Sequence, residues 1–223
     1  MNLLDPFIIV TLFILIYSAI LHEMAHGFVA DRLGDPTARL LGRLTLDPRP
    51  HIDPIMSIAL PMLLIITGSP IIFGGAKPVP IDPFNLKEGR KDIALVSLAG
   101  PLTNIILAIM GTVIFTLLFK EDYSLFDLIF RRIPLQSFTD IAAFIFAQII
   151  SLNVLLAIFN LLPIPPLDGS KVFALLLPEK TAHAYLSIGN LGAGLILFLL
   201  LLPTGLSTLI GILYRFCLSL LGF

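Results

Sequence analysis

Six stretches of this chain are apolar over lengths that a water-soluble core does not require: Pro6 to Ala30, Pro54 to Phe73, Ile93 to Phe119, Phe138 to Leu162, Leu186 to Leu202 and Leu206 to Leu221. A helix needs about 18 or more apolar residues to cross roughly 30 Å of hydrocarbon. The chain is 57% hydrophobic and only 13% charged, with a mean hydropathy of +0.99. Soluble domains carry about a quarter charged residues, so the excess points to a bilayer rather than to a large core. The expected fold is an all-α polytopic membrane protein of about five to six transmembrane helices. With no long polar stretch or repeat to divide it, residues 1–223 read as a single membrane-embedded domain.

Charge and cysteine content remove several function classes. Net charge is −1, which gives nucleic acid or another polyanion nothing to bind. Cys217 stands alone, so neither an internal disulfide nor a cysteine metal cluster is open to the chain. No Lys or Arg precedes the first apolar run, and no small-residue cleavage site follows it. That run is therefore expected to remain in the mature protein rather than to be removed as a signal peptide.

The stretch from Asp53 to Pro83 departs from a plain span. Pro61, Pro70, Gly74-Gly75 and Pro78-Val79-Pro80 interrupt it. Proline removes a backbone donor, and paired glycines favour irregular backbone. Irregular backbone persists at membrane depth only where protein or a wet cavity satisfies it. The reading is a re-entrant segment ending in an extended strand around Phe73 to Pro80. Basic residues agree: Arg32, Arg39, Arg43 and Arg49 precede the segment, and Lys77, Lys87, Arg90 and Lys91 follow it. Lys and Arg accumulate in cytoplasmic loops, so the segment would enter and leave on one side. Near the end, Pro203-Thr204-Gly205 reads as the turn of a helical hairpin. Val172 to Leu177 is too short to span and reads as a half-helix or a cap over a site. Gly189, Gly192 and Gly194 are packing positions for closely approaching helices.

The first apolar run contains His22-Glu23-Met24-Ala25-His26. Residues four apart share a helical face, about 5–6 Å apart at Cβ, and two such imidazoles can reach one tetrahedral Zn²⁺. Glu23 then lies beside the metal, placed to take a proton from water activated there. Ionisable residues inside a span are costly and mark function by default. A catalytic zinc takes three protein ligands and keeps a fourth position open. Position 32, where one class of zinc proteases would continue the motif with His, is Arg32. The candidates for a third ligand are Asp31, Asp35, His51, Asp82, His183 and Asp168. Asp31 and Asp35 read as solvated loop acids, His51 as a loop residue at the membrane surface, and His183 as a surface residue after Glu179-Lys180. Asp168 is the strongest, because Pro163, Pro165 and Pro166 unwind the end of an apolar helix just before it and Gly169 permits close backbone approach.

Three motifs, HEMAH at His22 to His26, GPLTN at Gly100 to Asn104 and NLLPIPPLDG at Asn160 to Gly169, together resemble the site-2 protease family of intramembrane zinc metalloproteases. The resemblance implies one Zn²⁺ per chain held by His22, His26 and Asp168, with Glu23 as general base. It implies substrate or oxyanion contacts for Asn104 and Asn160. Phe73, Gly74, Gly75, Ala76, Lys77 and Pro78 resemble the family's membrane-embedded strand, which would pair with an extended substrate. The chain looks like the compact branch, without the PDZ or CBS domain of other relatives.

Topology bears on the same assignment. HEMAH lies late in the first helix and Asp168 follows the fourth segment, so an odd number of crossings must lie between those two helices. A re-entrant Pro54 to Phe73 leaves Ile93 to Phe119 as the one crossing. The expected function is hydrolysis of peptide bonds in membrane-spanning or membrane-proximal substrate segments, with the site near the cytoplasmic face of a prokaryotic cell membrane. A transmembrane substrate would have to unwind and pair with the strand. The alternative is a metal-ion or proton-coupled transporter using the same His and Asp cluster, although the internal repeat such a protein would show is missing. Assembly as a homo-oligomer stays open.

Overall fold

The computed structural model describes residues 6–66, 75–131, 134–189 and 205–223, and all regular structure among them is helical. In chain order the helices are α1 (Pro6–Leu33), α2 (Thr37–Leu40), α3 (Leu60–Ile66), α4 (Arg90–Leu118), α5 (Leu125–Phe130), α6 (Phe138–Leu161), α7 (Asp168–Ala174), α8 (Glu179–Ser187) and α9 (Gly205–Leu220). Single 3₁₀ turns occupy Arg49–His51 and Pro83–Asn85, and a π-helical turn, Pro54–Ala59, leads into α3. Among the described residues α1, α4 and α6 are long and apolar enough to cross a membrane. The all-α membrane class is thus as expected. Most of the expected span Leu186 to Leu202, the turn residues Pro203 and Thr204, and Gly192 and Gly194 lie outside the described residues.

The three long helices form the frame, with α4 packed between α1 and α6 and the latter two also in contact. Each end has a local cause. Gly34 takes φ +117° just past α1, and the Asp35 amide returns to the Ala30 carbonyl at 2.9 Å. That is a Schellman closure, which a side chain at position 34 would strain. Ser137 and Asp140 cap the start of α6 reciprocally. At its other end Pro163, Pro165 and Pro166 stop the helix, and the chain turns to begin α7 at Asp168. α7 packs against α4, bringing the residue after one long helix to the flank of another.

The stretch between α1 and α4 is threaded rather than laddered. No strand is present among the described residues, and Gly75 to Pro80 has no regular structure. Phe73 and Gly74 of the expected strand lie outside the described residues. Pro78 and Pro80 supply no N–H, so a continuous ladder has little to run on. Instead the Gly75 amide donates to the Met56 carbonyl at 3.0 Å, and Lys77 to the His51 carbonyl at 2.7 Å. Ser57 Oγ donates to the Gly75 carbonyl at 2.7 Å. Arg43 Nη2 donates to the carbonyls of Lys77 and Pro78 at 2.7 and 3.3 Å.

Two residues read as surface groups are buried. Asp35 is 0% exposed and gathers donors from the Thr37 amide and hydroxyl, the Asp82 amide and Asn85 Nδ2. Burial pushes its carboxyl up, but these hydrogen bonds outweigh burial and hold it below the usual value. His51 is 1% exposed, and its Nε2 donates to the Thr45 carbonyl at 3.0 Å. Burial, with Arg43 nearby, holds that imidazole below its ordinary pKa. Both corrections have one cause: the strip from Gly75 to Asp82 folds back over the loop that follows α1 and covers it. His183 is exposed on α8, as expected.

Candidate metal centre and active site

The imidazoles of α1 face α4. His26 Nδ1 lies 2.7 Å from the Val96 carbonyl, inside the α4 turn before Pro101. A carbonyl only accepts, so Nδ1 carries the proton and Nε2 presents a bare lone pair. His22 Nδ1 lies 2.6 Å from Asn104 Oδ1. The two Nε2 atoms are 3.0 Å apart, and Asp168 Oδ2 lies 3.2 Å from His22 Nε2 and 3.1 Å from His26 Nε2. All three residues are buried.

Three lone-pair donors at such separations repel one another unless a cation lies between them. Tetrahedral zinc with bonds of 2.0–2.2 Å spaces its ligand atoms about 3.3–3.6 Å apart. The observed triangle is slightly tighter and of the same shape. Gly100 supplies a second observation: a Cβ there would lie 2.5 Å from both Nε2 atoms. Any side chain at that point of α4 would crowd the space into which the donors point. Two neutral imidazoles and one carboxylate are also the donor chemistry zinc takes in catalytic sites. The residues fit the ion.

Glu23 stands beside this triangle. Its carboxylate and the two imidazoles have donor atoms within 4.8 Å of one another, and Glu23 Oε2 accepts from the Val79 amide at 2.8 Å. Gly27, one turn further along α1, leaves room for Val79, because a Cβ there would lie 3.0 Å from Val79 Cγ1. The strip is thereby held across the helix face that carries Glu23.

The structure thus brings His22, His26, Asp168, Glu23 and Asn104 together, with Gly75 to Pro80 alongside. Asn160, half-buried at the end of α6, donates to the Leu156 carbonyl at 3.0 Å. Asn104 is fully buried and has both ends engaged, with Oδ1 on His22 and Nδ2 on Asn153 Oδ1 at 2.8 Å. Lys171 Nζ lies 3.1 Å from Asp168 Oδ1, the oxygen that does not face the imidazoles. Asn153, Lys171 and Gly100's steric role escaped the reading of the sequence. An amide in the middle of an apolar span is a functional candidate by default, and that rule, applied to Asn153, would have found it.

Residues 10–202 match the model of peptidase family M50. Over 202 residues the chain is 37% identical to "Putative zinc metalloprotease YwhC" of Bacillus subtilis, covering 91% of this chain and 83% of that protein. It is 33% identical over 197 residues to "Putative zinc metalloprotease Rip2" of Mycobacterium tuberculosis, covering 88% of this chain and 68% of that one. No solved structure matches the chain. Apolar helices of membrane-crossing length, a zinc-compatible donor set beside a glutamate, and this match over most of its length agree: the chain belongs to peptidase family M50 and is a zinc metalloprotease.

Proposed function

We propose that the protein is an intramembrane endopeptidase that cuts peptide bonds within or beside the bilayer, with residues 1–223 working as one membrane-embedded domain. The observation that carries this reading is the meeting of His22 Nε2 and His26 Nε2, on a helix long enough to cross the membrane, with Asp168 Oδ2 of the short α7 at 3.0–3.2 Å. These three side chains hold one Zn²⁺, which when bound supplies Lewis acidity for polarising a scissile carbonyl and acidifying water. Glu23 is the general base. It takes the proton of the attacking water and returns it to the departing amine. Its tie to the Val79 amide keeps one carboxylate oxygen turned toward the strip and fixes the plane of the other.

Gly75 to Pro80, with Phe73 and Gly74 before it, receives the substrate as an extended segment. A transmembrane helix offers no free amide to a protease, so the bound stretch must unwind, and backbone pairing with the strip offsets the lost bonds. Asn104, with its amide committed to His22, serves the metal side. Asn160, one of whose Nδ2 hydrogens goes to the Leu156 carbonyl, uses the other to donate to the developing oxyanion, the role the family resemblance implies for it. The re-entrant reading of Pro54 to Phe73 is supported by the bonds from residues 75 and 77 to residues 56 and 51, which set the exit of that segment beside its entry. The flanking basic loops support a site near the cytoplasmic face of a prokaryotic membrane, and the substrates are membrane proteins or peptides. The transporter alternative is not favoured, given the family.

The test is a cleavage assay on a model membrane peptide together with zinc analysis of the purified protein. Glu23→Gln is expected to lose at least about 100-fold in rate and to keep its zinc. Asp168→Ala is expected to lose the zinc. Full activity in Glu23→Gln would sink the base assignment, and stoichiometric zinc in Asp168→Ala would sink the ligand set.

A further inference from the structure

Asn153 lies in the middle of α6, 1% exposed and away from the three motifs that carry the family resemblance. Its surroundings determine which way its amide points. Nδ2 lies 2.9 Å from the Ile149 carbonyl, which can only accept, and 3.0 Å from Ser18 Oγ. Both of its hydrogens are thereby used, and Oδ1 is turned toward Asn104. Asn104 Nδ2 donates to that oxygen at 2.8 Å. Asn104 Oδ1 is in consequence the atom that faces His22 Nδ1 at 2.6 Å. An oxygen there requires the proton on Nδ1, which leaves Nε2 bare. The direction of each group follows from the one before it, beginning at a backbone carbonyl on α6 and ending at an imidazole on α1.

We infer that Asn153 is a positioning residue for zinc: it locks the Asn104 amide so that His22 presents Nε2 as a free lone pair. The inference rests on the zinc reading of His22, His26 and Asp168. An amide is nearly symmetric in shape, so packing alone does not distinguish Asn104 from its flipped form. Only the acceptor on Asn153 does. Without it, Asn104 can turn Nδ2 toward His22, and a donor there favours a bare Nδ1 with the proton on Nε2. That proton sits where the metal has to bind. Groups that orient a metal's histidine ligands are worth about 10–100-fold in metal affinity.

The experiment is chelator competition for zinc with the full-length protein in detergent. Asn153→Leu keeps the size of the side chain and removes its acceptor; it is expected to bind zinc about 10–100-fold more weakly. Asn153→Asp keeps an oxygen toward Asn104 and, as the neutral acid, a donor for the Ile149 carbonyl; it is expected to lose less zinc affinity than Asn153→Leu. In an Asn104→Leu background, adding Asn153→Leu is expected to cost nothing further, because one relay has already been cut. Should the leucine variant fail to fold, Asn153→Ala, which adds no volume, is expected to show the same loss. Unchanged affinity in Asn153→Leu, equal loss in Asn153→Asp, or an additive loss in the double variant would each overturn the proposal. A wild-type protein that takes up no zinc would instead overturn the metal reading beneath it.

Discussion

The two sides of the site are built by opposite means. On the metal side, His22, His26, Asn104 and Asn153 sit on long helices, buried, with each imidazole Nδ1 and each side-chain amide held at 2.6–3.0 Å by a partner on another helix. On the other side, Gly75 to Pro80 has no regular structure and is tied down at intervals by Arg43, Ser57, Glu23 and the His51 carbonyl. Helices give the first group a geometry that a metal can use without reorganisation. The strip's amides at Gly75, Lys77 and Val79 and its carbonyls at Gly75, Lys77 and Pro78 are engaged, so pairing with another segment falls to the Ala76 amide and the carbonyls of Ala76, Val79 and Pro80. Glu23 belongs to both, with its helix position set by the first and its carboxylate held by the second.

That division can be broken at either side, and the expected effects differ in size. The largest belongs to the metal side. Gly100→Ala puts a methyl 2.5 Å from both Nε2 atoms, so zinc affinity is expected to fall by at least about 100-fold, beyond the upper range for losing an orienting partner. Chelator competition measures it, and wild-type affinity in this variant would mean that α4 does not lie against the donors. A smaller effect is expected across the strip. Arg43→Met frees the carbonyls of Lys77 and Pro78, leaving the substrate to order them itself. Cleavage efficiency is expected to drop about tenfold, equivalent to about 1.4 kcal/mol, with zinc affinity unchanged. Loss of zinc in this variant would show that the two sides are not separate.

The smallest effect concerns the knot beneath the strip. Asp35 has a carboxyl held below its unfolded value. The stability it contributes is therefore present above that unfolded value, about 3.9, and is lost as pH falls through the lower folded one. Hydrogen exchange at residues 77–82, taken relative to its intrinsic rate at each pH, is expected to stay slow at neutral pH and to quicken below about pH 4. Asp35→Asn, which turns a donor toward donors, is expected to quicken it at neutral pH, since an unsatisfied buried group costs about 1–3 kcal/mol. Exchange that does not respond to either change would remove Asp35 from the account of the strip.

Much of this was legible along the chain. Apolar length alone located α1, α4 and α6 to within a few residues of their observed ends, because crossing hydrocarbon demands an uninterrupted internally bonded helix. The spacing of His22 and His26 put two imidazoles on one face, and three prolines before Asp168 marked where its helix had to stop. These are local consequences of covalent geometry. Which groups complete the site was not local. Asp35 and His51 read as surface residues, and their burial depends on a strip 24 or more residues later in the chain folding back over them. The family resemblance implies a substrate or oxyanion contact for Asn104, while its bonds to His22 and Asn153 bring together residues 82 and 49 positions away in the chain. The lone pair that His22 offers was decided in the folded chain, where hydrogen bonds between helices choose the tautomer that composition and spacing leave free.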